Sequence, residues 1–265
     1  MKKILITGST DGIGKMAAFT LAQEGKNVIL HGRNASKLEK VVNELQSTFP
    51  KAQVGSVQAD LSDFEDIKKM INQVISEYES LDVLINNAGI FKSPLALTGD
   101  GFDVRFMVNY FAPYLLSKGL MPLLSKSDKG RIINLSSAAQ SPVSLKALEG
   151  REALSDQLAY AQSKLALTMW TFYLAKVQNS VDVVAVNPGS LLNTKMVQEA
   201  YGQFWSPASK GADILCALAD SEQYPSVNGQ YFDNDKGGFN HAHRDAYDQD
   251  KLEALIEKTN QLLSV

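Results

Sequence analysis

Short apolar runs alternate with longer amphipathic stretches from the first residues of this chain onward, and that alternation constrains its fold more than any other feature. The runs Lys3 to Thr7, Asn27 to His31, Gln53 to Gln58, Val83 to Asn86, Arg131 to Leu135, Val181 to Val186 and Gln230 to Asp233 have the length and residue types of strands. Between them lie helical patterns, for example Lys15 to Glu24, Ser36 to Thr48 and Ile67 to Glu77. A strand followed by a helix returns as a parallel neighbour, with helices covering both faces of the sheet. The expected fold is therefore α/β, a Rossmann-like doubly wound sheet of about seven mostly parallel strands. The 265 residues suit one such domain. No linker, repeat or low-complexity segment divides them, so residues 1–265 are read as a single domain.

The first strand runs into Thr7-Gly8-Ser9-Thr10-Asp11-Gly12-Ile13-Gly14 and then a helical pattern, the context a dinucleotide-binding turn requires. Gly8 permits the tight turn, Gly12 lets backbone approach a pyrophosphate at the helix N-terminus, and Gly14 allows close packing of helix and strand. The end of the second strand bears on which nicotinamide cofactor is favoured. An acid there would bind the ribose 2′-hydroxyl, but the chain reads Ile29-Leu30-His31-Gly32-Arg33-Asn34, with Arg33 placed to meet a 2′-phosphate and Lys37 adding charge. NADP(H) is the expected cofactor. Asp11 works against this if its carboxylate turns inward.

Composition serves mainly to exclude. A formal net charge of −3 without a long basic block gives no electrostatic footprint for nucleic acid. Cys216 is the only cysteine and lies in an apolar run, which leaves no internal disulfide and no cysteine zinc cluster. Asn240-His241-Ala242-His243-Arg244-Asp245 puts two histidines near a carboxylate, but further ligands are wanting, so the segment is read as polar surface and no metal is expected. No run approaches a membrane span, and Met1-Lys2-Lys3-Ile4-Leu5-Ile6 is cut short of a secretion signal by Thr7-Gly8. A cytoplasmic protein is expected.

Tyr160 and Lys164 stand four residues apart, a spacing that stacks an ammonium on a phenol in a helix. The cation favours phenolate, bringing a group whose pKa is ordinarily about 10 into use as an acid or base near neutrality. Tyr114 and Lys118 repeat the spacing, so spacing alone does not say which pair does chemistry. Two stretches break the strand–helix rhythm, Gln140 to Gln157 and Leu191 to Ser206. Both leave carboxyl ends of strands, where open α/β sheets bind ligands, and the substrate pocket is assigned there.

From about Lys3 to Gln230 the order of motifs resembles the short-chain dehydrogenase/reductase family. The motifs are Thr7-Gly8-x-x-x-Gly12-Ile13-Gly14, Asp60-Leu61, Asn86-Asn87-Ala88-Gly89, Asn109, Ser136-Ser137, Tyr160-x-x-x-Lys164 and Asn187-Pro188-Gly189. The resemblance implies that Asp60, beside Leu61, contacts adenine, and that the backbone of Asn87, Ala88 and Gly89 lines the adenosine. It implies that Thr194, just beyond Pro188-Gly189, holds the nicotinamide carboxamide. It also picks Tyr160 over Tyr114, which falls at a packing position of the helix that starts near Asn109. Pro113 in that helix is tolerable only in a first turn.

The family pattern makes Asn109, Ser137, Tyr160 and Lys164 the catalytic set. Tyr160 would transfer the proton, Ser137 would bond the carbonyl oxygen, Lys164 would lower the tyrosine pKa and hold the nicotinamide ribose, and Asn109 would hold a water leading from Lys164 to solvent. Ser136 is then structural. The implied activity is NADP(H)-dependent hydride transfer between nicotinamide and a carbonyl or alcohol, with a non-catalytic NADP(H)-binding sensor or scaffold as the alternative. A nucleotide-sugar epimerase or dehydratase would want a larger C-terminal domain than the 35 residues after Gln230. Ser137 and Tyr160 are 23 residues apart, a long gap similar to that of retinol dehydrogenase-like and WW-domain-containing oxidoreductase-like members, which suggests an apolar small-molecule substrate. Similar enzymes pair into a homodimer or homotetramer through the helices bearing Asn109 and Tyr160. The amphipathic stretch Asp248 to Leu263 is left to close the pocket or to mediate association.

Overall fold

The computed structural model describes residues 1–220 and 222–264. The first half is β1 (Lys3–Ile6), α1 (Gly12–Gln23), β2 (Asn27–Gly32), α2 (Ala35–Thr48), β3 (Val54–Gln58), α3 (Phe64–Glu77) and β4 (Val83–Asn86). A helical run follows, made of α4 (Val104–Phe106), a π-helical turn (Met107–Phe111) and α5 (Ala112–Leu124), before β5 (Arg131–Leu135). Then come α6 (Leu145–Leu148), α7 (Asp156–Val177), β6 (Asp182–Asn187), α8 (Lys195–Tyr201), α9 (Ser209–Ala219), β7 (Gln230–Asp233), β8 (Gly238–Phe239) and α10 (Gln249–Leu263).

The strands form one sheet in the order β3-β2-β1-β4-β5-β6-β7-β8. All neighbours are parallel except β7 and β8, an antiparallel two-residue edge beyond the seven expected strands. Central strands read as unbroken apolar runs because both faces are buried. Side chains alternate between two cores: Leu5, Leu84 and Ile132 point to one, Ile4, Ile6 and Ile85 to the other. The chain lays strands outward from β1 to β3, then crosses back to β4. The crevice at the carboxyl ends of β1 and β4 is thus the switch point of a doubly wound sheet.

Helix starts follow their caps. Asp63 accepts from Asp66 N–H, so α3 begins at Phe64, three residues before the apolar pattern suggests. Asp11 caps α1, Asn34 caps α2 and Ser155 caps α7. Leu165, Leu167, Met169 and Trp170 of α7 are buried, as their spacing implies. Pro113 stands in the first turn of α5, where a proline is tolerated. It is the second residue of α5, but α5 continues directly from the π turn, in which Ala112 N–H reaches back to Met107 O. The wider turn relieves the clash a proline ring makes with the carbonyl four residues earlier, here that of Asn109.

The last helix packs beside α7 and α5 and takes no part in the hollow at the carboxyl ends of the strands. α10 lies across α7 and α5, where Tyr110 and Thr259 share a 2.7 Å hydroxyl hydrogen bond and Tyr114 Oη donates to Asn260 Oδ1 at 2.5 Å. Leu252, Leu255 and Ile256 are buried beneath it. No described helix is long and apolar enough to cross a membrane.

Candidate active site

A cleft of about 430 Å³ opens at the carboxyl ends of the central strands. Its wall gathers Gly8, Gly12, Ile13, Arg33, Asp60, Leu61, Asn87, Ala88, Gly89, Ser137, Tyr160, Lys164, Pro188, Gly189 and Thr194 from seven separate stretches of the chain. Thr7, Gly14 and Asn109 stand behind that wall. Thr7 Oγ1 accepts from Ala88 N–H at 3.0 Å, tying the glycine loop to the end of β4. A Cβ on Gly14 would lie 2.3 Å from Asn87 Nδ2 and 2.5 Å from Gly8 O, so its small size serves the loop and the end of β4 rather than a flat strand face.

The glycine loop is shaped by two left-handed residues, Gly8 at φ +64° and Gly12 at φ +53°. It is gripped from β4 by Asn87 Nδ2, which donates to Thr7 O at 2.8 Å and Gly8 O at 3.0 Å. Asp11 Oδ1 accepts from Gly12 N–H at 2.8 Å, so this carboxylate sits on the N-terminus of α1 and faces the cleft. Arg33 and Lys37 are exposed at the far end. Asp60 Oδ1 accepts from the Ser62 amide and hydroxyl at 2.9 and 2.7 Å, which orients it at the cleft edge.

At the other end the two tyrosine–lysine pairs separate. Their local geometry is nearly the same: Lys164 Nζ is 5.6 Å from the Tyr160 ring centroid and Lys118 Nζ is 5.3 Å from that of Tyr114. The Tyr160 ring faces the cleft and packs on Phe91 at 5.0 Å. Tyr114 is 1 % exposed and turned toward α10, and burial pushes its phenol up to about 12. Lys164 is buried, donates to Leu135 O at 2.7 Å, and is brought down to about 7 by desolvation.

Asn109 Oδ1 accepts from Ile90 N–H at 2.8 Å, while its Nδ2 donates to Ile90 O at 3.0 Å and Ser163 Oγ at 2.9 Å. The carboxamide is a bracket between the segment after β4 and α7. Its main-chain carbonyl has no N–H to expect from Pro113. Both serines border the cleft: Ser136 is buried with its hydroxyl 2.6 Å from that of Thr168, whereas Ser137 is partly exposed. Gln140 Nε2 and Tyr231 Oη both donate to Ser137 O, at 2.8 and 3.0 Å, and hold the serine loop in place.

The two irregular segments do not share the lining equally. Leu192, Thr194, Lys195, Met196 and Val197 line the cleft, but no residue of 140–157 does. That stretch packs instead on the loop before α4, where a Cβ on Gly150 would fall 2.2 Å from Gly101 O. Asn187 Nδ2 donates to Asp233 Oδ1 and Asp235 Oδ2, both at 2.9 Å, fixing the Pro188-Gly189 turn from β7. His31, Gln140, Tyr231 and Asp235 are supports that motif reading did not single out. For His31 a signal existed: a histidine inside an otherwise apolar strand. Among the described residues no group of three or more His, Cys, Asp or Glu could hold a metal.

Comparison with known proteins bears on family and fold. The family model described as short chain dehydrogenase matches residues 2–203. Retinol dehydrogenase 12 of Mus musculus is 33 % identical over 249 residues, covering 89 % of this chain and 78 % of that protein. An uncharacterised protein of Mycobacterium paratuberculosis superposes with a TM-score of 0.81 at 26 % identity, covering 100 % of this chain and 94 % of the other. A short chain dehydrogenase of Shigella flexneri, solved as a complex with NADP, has a TM-score of 0.69 at 29 % identity, covering 88 % and 97 %.

Proposed function

The chain belongs to the short chain dehydrogenase family, and on that footing we propose that it is an NADP(H)-dependent oxidoreductase in which Tyr160 is the acid and base. The observation that carries the reading is the convergence of Ser137, Tyr160 and buried Lys164 on the cleft that the glycine loop borders. Gly12 presents no Cβ where backbone must approach phosphate, and Arg33 and Lys37 offer cations for a 2′-phosphate, which outweigh the one opposing charge, the Asp11 carboxylate held on Gly12 N–H. The NADP complex of the Shigella flexneri relative supports the choice of cofactor. When bound, the nicotinamide supplies or accepts the hydride.

In reduction, Ser137 Oγ donates to the carbonyl oxygen and Tyr160 gives its phenolic proton to the developing alkoxide. The Lys164 ammonium stabilises the phenolate left behind, and in oxidation Tyr160 takes the proton back. A water at the main-chain carbonyl of Asn109 would return protons from solvent to Lys164. Ile90, Val108, Leu192, Met196 and Val197 line the cleft. These favour an apolar carbonyl or alcohol, in keeping with the name of the mouse relative.

The test is turnover of Tyr160→Phe with a panel of apolar aldehydes, ketones and alcohols, followed by NADPH absorbance. NADPH binding should persist while turnover falls about 100- to 10,000-fold. Turnover close to wild type would overturn the mechanism.

A further inference from the structure

The imidazole of His31 lies at the end of β2, 3 % exposed, and makes two hydrogen bonds that a single neutral tautomer satisfies. Nδ1 accepts from Gly8 N–H at 3.0 Å, and Nε2, 3.2 Å from Ala59 O, donates to it. The same residue bonds reciprocally with the next loop position. Ser9 N–H donates to His31 O at 2.9 Å, and His31 N–H donates to Ser9 Oγ at 2.8 Å. One residue thus ties the first two positions of the glycine loop to β2, and ties β2 to the residue before Asp60.

Gly8 needs such a tie. At φ +64° it occupies a backbone region that glycine enters freely and leaves as freely, so the left-handed turn is not locked by its own sterics. Asn87 fixes the carbonyls on either side of the Gly8 nitrogen by donating to Thr7 O and Gly8 O, but it places no acceptor on that nitrogen. His31 provides the acceptor. An aliphatic residue of the kind that fills the rest of β2 would leave the Gly8 amide without this partner, at the point where the cleft wall meets the loop.

Resting on the cofactor reading above, we propose that His31 is a positioning residue for the dinucleotide: through Nδ1 it holds the Gly8 peptide in the orientation that shapes the phosphate-receiving loop, while its Nε2 donation to Ala59 O anchors the ring in the fold. The two roles sit on different ring nitrogens and can be tested apart. Asparagine places its Oδ1 where Nδ1 stands and keeps an acceptor for Gly8. Glutamine extends its amide toward the position of Nε2 and keeps a donor for Ala59, losing the Gly8 acceptor.

The experiment is titration of NADPH into the full chain, wild type and His31→Ala, His31→Gln and His31→Asn, with unfolding of each followed in parallel. His31→Ala and His31→Gln should weaken NADPH binding about tenfold, equivalent to about 1.4 kcal/mol, and His31→Asn should stay within about twofold of wild type. A purely structural role would move all three together with their unfolding midpoints. Equal weakening by Asn and Gln, or wild-type affinity in a folded Ala variant, would overturn the proposal alone. Wild-type protein that binds no NADPH would overturn the cofactor reading and this proposal with it.

Discussion

Acid should destabilise this protein through His31, and the size of the effect follows from its burial. The ring is neutral in the fold, with its pKa pushed down to about 4 by desolvation, against the Ala59 carbonyl and the Asp60 charge, which both favour protonation. In the unfolded chain the same ring titrates near its ordinary value of 6.5. Between those two values the unfolded state binds the proton and the native state does not, so stability falls as pH drops below about 6.5 and the loss levels off below about 4. At about 1.4 kcal/mol for each pH unit separating the two values, the full loss is about 3 kcal/mol, of which about 2 kcal/mol is gone by pH 5. Set against the roughly 5–15 kcal/mol of a typical domain, that is a large share. Urea unfolding of wild type and His31→Asn at neutral pH and at about pH 5 isolates it, because every other titrating group is common to both proteins. Wild type should lose about 2 kcal/mol more than the variant over that interval. Equal losses in the two proteins would refute the reasoning, since they would mean that the folded ring takes up its proton as readily as the unfolded one.

The duplicate tyrosine–lysine pair offers a control. Tyr114→Phe removes the hydrogen bond to Asn260 and should cost about 1 kcal/mol, lowering the unfolding temperature by roughly 2–4 °C with turnover unchanged. Loss of turnover there would return Tyr114 to the list of catalytic candidates. Arg33→Ala should raise the NADPH dissociation constant about 10- to 100-fold and leave NADH nearly unaffected, as expected for loss of a charge-assisted contact. Equal affinities for both cofactors in both proteins would sink the NADP(H) preference.

Much of the architecture was legible in the residues because it is decided locally. The apolar runs of β1, β4 and β5 mark strands buried on both faces, and the order of strand, glycine loop and helix marks the switch-point crevice where the candidate site residues gather. Capping shifted helix ends by a few residues, as at Phe64, without altering which elements exist. Pro113 was harder to place, because a π turn that accommodates a proline inside a continuous helical run has no periodic signature of its own.

Tertiary structure decided whatever depends on what lies opposite. Four-residue spacing set both tyrosine–lysine pairs at almost the same internal distance, and only the placement of their helices turned one toward the cleft and the other toward α10. The segment 140–157 follows the carboxyl end of a strand yet packs against the loop before α4, leaving Leu192 and residues 194–197 of the other segment to line the cleft. His31 reads as an anomaly in an apolar strand until Gly8 and Ala59 are brought to its two nitrogens from positions distant in the chain. Periodicity and turn chemistry act over a few residues and are written in sequence order. The partner of a buried polar group, or the face a helix presents, is set by which distant segments the packed core brings together.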